Sequence, residues 1–276
     1  MTPMRQDGDR AEPGWSTHEI EFDGDQVVKR FRSWQRGEPR REWRALTLLA
    51  EFAPGLAPIP VSEDIDNEAP TIRMERVPGE PLARQVITGR HLDGIAVALH
   101  RLHTCLPAGV LAGVPPMPWL AEGVTSRMRR LASGSRTPPD NDFEVRLAFQ
   151  TANRWLDQAA APAGRPAPVF GQSDGNLNNF LWDGEHVRIV DFEDSGRSDR
   201  AFELAVLVEH ISFWHEAGID AGLLLDRFAL TAGQSARVLF FRQAWAIYWL
   251  HVLHKRPDHA DVLAEQASRL LALLAR

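Results

Sequence analysis

The chain has 276 residues, 44% of them hydrophobic and 25% charged, with a formal net charge of −6 and a pI near 5.9. That length can bury a sizeable core as one domain or two lobes, and the acidic balance argues against the basic footprint of a nucleic-acid binder. A single cysteine, Cys105, excludes an internal disulfide framework; no run is long and apolar enough to cross a bilayer and Met1 to Asp7 lack a signal-like apolar core, so the expected location is cytoplasmic.

Residues 1–14 are charged and contain Pro and Gly, the composition of a disordered segment. Residues 18–22 alternate polar and apolar, Asp23-Gly24-Asp25 is a turn, and residues 26–31 form a second strand that carries Lys29. Residues 39–49 place apolar side chains at helical spacing, with Glu42 near the start. Residues 71–75 read as a short strand that runs into the Pro78-Gly79 break. The break separates a β-rich lobe, residues 15–79, from a mainly helical one, residues 80–276. Helices are expected over residues 82–87, 92–106, 119–131 and 142–158, with loops at 134–141 and 161–166. A strand at 168–170 enters the polar run Gln172-Ser173-Asp174-Gly175-Asn176-Leu177-Asn178-Asn179. Residues 179–182 and 186–190 are two strands joined by Asp183-Gly184, a hairpin signal. Past Asp199, helices are expected over 200–217, 222–231, 235–253 and 260–275. No internal repeat is present.

The polar run and the end of that hairpin carry the chemistry. Asp174, Asn179 five positions on, and Asp191 at the end of the returning strand have the spacing of a phosphoryl-transfer site. Such a site needs an aligned hydroxyl and a neutralised phosphate, and little covalent help. Asp174 would accept a hydrogen bond from the attacking hydroxyl and then its proton. Asn179 and Asp191 offer an amide oxygen and a carboxylate, hard ligands that suit Mg²⁺. The hairpin returns Asp191 to the loop that carries Asp174 and Asn179. In this reading Lys29, on its Val-Val-Lys strand, contacts the α- and β-phosphates, and Glu42 pairs with it. Glu75 and Val77 would meet the adenine edge through a carbonyl and an amide. Taken singly, Lys29 is a solvated strand lysine, Glu42 a surface helix residue, and Asp174 and Asn179 are ordinary turn residues. Their order along the chain is what joins them.

Gly171-Gln172-Ser173-Asp174-Gly175 also matches G-x-S-x-G, the nucleophile elbow of serine α/β-hydrolases, with Ser173 as nucleophile. That motif demands a helix after the serine, and residues 175–191 read as loop, strand, turn and strand.

With these residues in place, the chain resembles the aminoglycoside phosphotransferase and choline kinase-like family of small-molecule kinases, over nearly its whole length from Thr17. The most specific stretch is Asp174 to Ala205, where Asp191-Phe192-Glu193-Asp194-Ser195-Gly196 leads into Asp199-Arg200-Ala201-Phe202-Glu203-Leu204-Ala205. The resemblance implies an α+β, protein-kinase-like two-lobe fold with a shortened β-rich N-lobe and a larger, mainly helical C-lobe. It implies ATP or GTP as donor, Mg²⁺, and a small hydroxylated acceptor between the catalytic loop and the C-terminal helices. Asp199 would brace the next helix, while Ala201, Phe202, Leu204 and Ala205 pack. An antibiotic, a sugar and an amino alcohol all fit as acceptor, and resistance to an aminoglycoside-like antibiotic is among the implied roles. The state is monomer or homodimer, with no nucleic-acid or membrane partner.

Three departures from the family pattern stand out. Gln172 replaces a histidine that braces the loop, and its amide is expected to substitute. Glu193 replaces a second aspartate. About one strand is missing ahead of Lys29, so phosphate covering is expected to be reduced or supplied by Trp15-Ser16-Thr17. The first and third departures motivate an alternative, a non-catalytic nucleotide-binding or ligand-sensing protein. Only eight positions separate Asp191 from Asp199, which leaves no long activation segment and favours a small acceptor over a protein. Acidic side chains at Glu193, Asp194 and Glu209 would suit an amine-bearing acceptor, while Glu216 and Asp220 read as helix surface. The pairs His100/His103 and His251/His254 have metal-binding spacing but sit on apolar helices with no third ligand nearby in sequence, where packing or surface roles are the simpler reading. Trp214, Trp245 and Trp249 belong to the core, with a lesser reading as rings that stack on a substrate.

Overall fold

In the computed structural model, which describes residues 18–134, 142–160, 162, 164 and 166–276, the chain opens as an antiparallel hairpin. Strand β1 (Glu19–Asp23) pairs with β2 (Gln26–Arg30), Ile20 opposite Lys29. The expected disorder of residues 1–14 and the covering role of Trp15-Ser16-Thr17 lie outside the described residues. Helix α1 (Glu38–Phe52) follows, burying Ala45, Leu46 and Leu49 at helical spacing. Strands β3 (Pro60–Asp64) and β4 (Thr71–Glu75) complete a four-stranded sheet of order β1-β2-β4-β3. In β4, Ile72 and Met74 point into the core while their neighbours do not, the alternation of a half-buried strand. Strand β3 escaped the sequence reading because four of its five residues are exposed and polar patterning hides it.

After Gly79, Glu80–Pro81 (β5) pairs with the strand that follows the polar loop. The helix expected over 82–87 is only a 3₁₀ turn, Leu82–Arg84, because Gln85 is already extended. Helix α2 (Gly89–Thr104) begins in a capping box made by Thr88 and His91. A short α3 (Ala108–Gly113) was not foreseen. The helix expected over 119–131 is two helices, α4 (Pro118–Glu122) and α5 (Val124–Ser133), broken where Gly123 takes φ +88. Helix α6 (Phe143–Gln158) starts where predicted, capped by Asp142, which accepts from Val145 N at 3.0 Å. Most of the loops at 134–141 and 161–166 lie outside the described residues.

Strand β6 (Val169–Gly171) precedes the polar loop. A 3₁₀ turn, Leu177–Asn179, then leads into the β7 (Phe180–Trp182) and β8 (Val187–Ile189) hairpin, as the sequence implied. Strand β9 (Gly196–Ser198), unforeseen, pairs with β6. Helix α7 (Arg200–Val208) is buried on every side. It ends nine residues before the expected Ala217, and a π-helical turn, Ser212–Glu216, follows. Helix α8 (Ala221–Leu225) is likewise shorter than predicted, since the chain leaves it to reach Thr231, the capping-box residue of α9 (Ala232–His254). Helix α10 (Ala260–Leu274) closes the fold. Helix α9 packs on both α7 and α10, so apolar residues surround it, Trp245 and Trp249 among them; Trp214 is buried nearby.

Each histidine pair has one buried member, His103 and His251, while His100 is exposed. His103 is buried, and burial together with nearby Arg200 holds it down to about 3, so it is neutral. His251 meets the Phe149 ring edge-on at 4.9 Å. No helix of the described residues is long and apolar enough to cross a membrane.

Candidate active site

Strand β6 delivers Gln172 beneath the end of β8. Its amide nitrogen donates to the carbonyls of Val190 and Asp191, each at 3.0 Å. Ser173 follows in a left-handed conformation, φ 71. Its backbone N–H donates to Glu203 at 2.9 Å and its hydroxyl donates to the same carboxylate at 3.0 Å; the Ser198 hydroxyl also donates to Glu203. Burial pushes the Glu203 carboxyl up, against these three donors. Helix α7 therefore clamps the loop through one buried glutamate. The Ser173 hydroxyl is spent on Glu203, and loop rather than helix follows it, so the hydrolase elbow is not formed.

The clamp fixes what comes next. Asp174 accepts from Asn176 N at 3.1 Å and from Asn179 Nδ2 at 2.8 Å. Leu177 N donates to the Ser212 hydroxyl at 2.8 Å, tying the 3₁₀ turn to the π-helical segment. Val190 N donates to Asn179 O at 2.9 Å, so the ends of the two strands hold Asn179 beside Asp191. Asp191 itself takes φ 63, a conformation that costs a non-glycine residue about 1 kcal/mol or more and is typical of functional positions.

Lys29 gathers the carboxylates. Its Nζ lies 2.5 Å from Glu42, 2.7 Å from Asp191 and 2.8 Å from Glu193. Burial opposes its charge, but Asp191, Glu42 and Glu193 outweigh burial and hold it well above the usual lysine range. Glu42 also accepts from Phe192 N at 3.3 Å, and His18 Nε2 lies 2.7 Å from Glu193. His18 Nδ1 accepts from Arg32 N at 3.2 Å, so Nε2 is the nitrogen placed to donate to Glu193. Burial works against ionisation of Glu193, yet the His18 hydrogen bond and the Lys29 charge hold it down to about 2. Burial pushes Glu42 up to about 7, partly offset by Lys29, and pushes Asp174 up to about 7 with the Asp191 charge adding. Burial is the main cause for Glu42 and Asp174, and around Lys29 three carboxylates face one ammonium, an excess of negative charge.

That excess is a test of fit for a divalent cation. Ligand oxygens of Glu42, Asp191 and Glu193 lie within 4.8 Å of one another. Asn179 gives its NH₂ to Asp174, so its amide oxygen faces the opposite way as a hard donor. The donor set is all oxygen and underneutralised, which suits Mg²⁺ rather than a soft metal.

Other predicted residues fall differently. Glu75 closes β4 and Val77 is buried just beyond it, on the backbone stretch that joins the sheet to β5. Asp194 accepts from Arg36 at 3.1 Å. Glu209 is 1% exposed and held by Arg242 at 2.7 Å and Arg269 at 3.1 Å. It is a buried structural anchor and does not face an acceptor. Asp199 caps α7 through Ala201 N at 2.8 Å and pairs with Arg237, the bracing role the resemblance implied. Asp220 likewise caps α8. The sequence reading missed His18 and Glu203 as site residues. A lone acid among Ala201, Phe202, Leu204 and Ala205 was a signal of a buried role for Glu203; nothing local marked His18.

Known proteins share the fold. The fold matches a choline/ethanolamine kinase family protein from Mesorhizobium loti (TM-score 0.63, 16% identity, 95% of this chain and 87% of that one). It matches choline kinase LicA from Streptococcus pneumoniae (TM-score 0.57, 15% identity, 94% and 89%). It also matches the amicoumacin kinase hAmiN, solved with AMP-PNP, Ca²⁺ and Ami (TM-score 0.59, 13% identity, 92% and 87%). These likenesses establish a protein-kinase-like fold with a small antiparallel sheet and a helical C-terminal part. No curated protein sequence matches the chain. Residues 10–240 match the phosphotransferase enzyme family (APH), and the chain belongs to that family.

Proposed function

We propose that this protein transfers the γ-phosphoryl group of ATP to a hydroxyl group of a small molecule. The observation that carries the reading is the convergence of Asp174, Asn179 and Asp191 beside the buried Lys29–Glu42 pair. Asp174 accepts the hydrogen bond of the acceptor hydroxyl and takes its proton as the new O–P bond forms. Its upward shift suits this task, because a base that titrates near neutral pH both ionises and binds a proton well. Asn179 and Asp191, with Glu193 alongside, would hold Mg²⁺, which when bound neutralises phosphate charge. Lys29 exchanges carboxylates for the α- and β-phosphate oxygens, and Glu42 keeps its ammonium in place. The backbone at Glu75 and Val77 receives the nucleobase. The boundary between the nucleotide lobe and the acceptor lobe lies at Gly79. The amicoumacin kinase neighbour, bound to a nucleotide analogue and Ca²⁺, supports a nucleotide and a divalent cation as ligands.

The test is ATP consumption with Mg²⁺ across amines, sugars, hydroxy acids and antibiotics, beside calorimetry with ATP. Turnover on an acceptor, lost in Asp174→Asn, supports transfer. ATP binding with no turnover on any acceptor supports a sensor instead, and failure to bind ATP with Mg²⁺ sinks both.

A further inference from the structure

Helix α5 carries a cation that the reaction scheme above does not use. Arg127, on α5, lies with its guanidinium carbon 3.7 Å from the centre of the Trp119 ring. Trp119 meets Tyr248 edge-on at 5.1 Å, and Tyr248 stacks on Trp245 at 4.7 Å and 25°. Arg127 is half-buried, with its guanidinium held on an aromatic platform.

This platform adjoins the chemistry. Met117 N donates to Arg197 O at 3.1 Å two residues before Trp119, and Trp249, next to Tyr248 on α9, meets the His210 ring at 4.9 Å, whose neighbour Ser212 accepts from Leu177 N on the loop that carries Asp174. Among the described residues, no carboxylate lies within ion-pair distance of Arg127 and no acceptor within hydrogen-bond distance of its guanidinium. Asp194, whose charge acts on it, is engaged by Arg36 at 3.1 Å. Burial and the charge of Arg36 pull Arg127 below the usual arginine range, as expected of a cation lacking its counter-ion. The Tyr248 hydroxyl has no hydrogen-bond partner among the described residues either. A half-buried fork of N–H donors and a phenol, neither with a hydrogen-bond partner among the described residues, have the donor chemistry to recognise an anion. An arginine that merely covered Trp119 would need neither Tyr248 nor the nearby Asp174.

We infer that Arg127 and Tyr248 bind a carboxylate of the acceptor, which is thus a small hydroxy acid rather than a polyamine. The guanidinium fork matches a carboxylate in a bidentate pair. One unpaired cation beside Asp174 and Asp194 accommodates a single negative charge better than the two of a phosphate monoester. An ammonium group in the same place would meet Arg127 and Arg36. The withdrawal of Glu209 into a structural pair removes one anion that an amine-bearing acceptor was expected to use.

The inference rests on the phosphotransfer reading, and the test separates the two. ADP release by the full chain with Mg²⁺ and ATP is measured on matched hydroxy acids, their carboxamides, the corresponding amino alcohols and phosphorylated analogues. Aliphatic acids of three to six carbons and aromatic hydroxy acids make up the set. The expected result is turnover on at least one acid and at least tenfold lower kcat/KM on its amide and amino alcohol. Arg127→Lys and Arg127→Met should raise KM for the acid by ten- to a hundredfold, with Arg127→Met shrinking the acid-to-amide ratio toward one. ATP affinity by calorimetry, within about twofold of the parent, shows that these variants are folded. Equal or better turnover of an amide, amino alcohol or phosphorylated analogue overturns the carboxylate assignment, as does an unchanged KM in the Arg127 variants. Bound ATP with no acid phosphorylated also overturns it, while absent ATP binding overturns the phosphotransfer reading itself.

Discussion

The amide nitrogen of Gln172 lies 3.0 Å from the carbonyl oxygen of Asp191, and 3.0 Å from that of Val190. One buried side chain thus ties the loop that carries Asp174 to the strand end that carries Asp191. The family pattern places a histidine here, and glutamine performs the brace through its NH₂. Gln172→Ala should leave two carbonyls without this donor and lower stability by about 1–3 kcal/mol. If loop loosening adds about 1.4 kcal/mol to the barrier, turnover falls about tenfold. Urea unfolding and steady-state kinetics check both; an unchanged kcat would show that the brace is dispensable.

Asp174→Asn should cut turnover by about 10²–10⁴ while ATP affinity by calorimetry stays close to that of the parent. Substantial residual activity would remove Asp174 from the role of base.

The pH dependence of Asp174 has a definite sign. Its ordinary value is 3.8 and burial, with the Asp191 charge, raises it to about 7. A carboxyl raised by folding binds its proton more tightly in the folded state, so stability is lost as pH rises from about 4 to about 7. Asp174→Asn should therefore gain stability relative to the parent across that window, with a constant difference above it. Because Mg²⁺ at Asp191 offsets one cause of the shift, adding Mg²⁺ with ADP should lower the Asp174 midpoint followed by carboxyl-carbon NMR. A midpoint that rises instead would contradict the placement of the cation.

Lys29→Met should destabilise the metal-free protein by about 3–5 kcal/mol, since it leaves Glu42, Asp191 and Glu193 clustered without their ammonium. Millimolar Mg²⁺ should recover more stability in this variant than in the parent. Thermal melts with and without Mg²⁺ measure the difference, and equal Mg²⁺ responses would argue against cation binding at these oxygens.

Gly175 has no room for a side chain. A Cβ there would sit 2.4 Å from the Val206 carbonyl oxygen and 2.6 Å from Leu207 Cα, both backbone atoms of α7. Gly175→Ala must push the catalytic loop off the helix and should cost about 1–3 kcal/mol or more. Equilibrium unfolding reads the cost; a variant as stable as the parent would mean that the loop is not seated on α7.

Local pattern made the hairpin of β7 and β8, the Asp142 cap and the helical character of the C-terminal half readable, because turn chemistry and helical periodicity act over a few residues. It misjudged the ends of α7 and α8 and the break at Gly123, where tertiary packing outweighs a continuous apolar pattern. The order of Lys29, Glu42, Asp174, Asn179 and Asp191 pointed to a phosphoryl-transfer constellation, because it follows the kinase pattern. Only the folded chain decided how they meet. Lys29 touches Glu42, Asp191 and Glu193 from 13, 162 and 164 positions away. It likewise sent Glu209 into an arginine pair and set Arg127 over Trp119 beside Tyr248. Spacing along a chain encodes near neighbours; which distant charges share one cleft, and which is left unpaired, depends on how helices and strands pack.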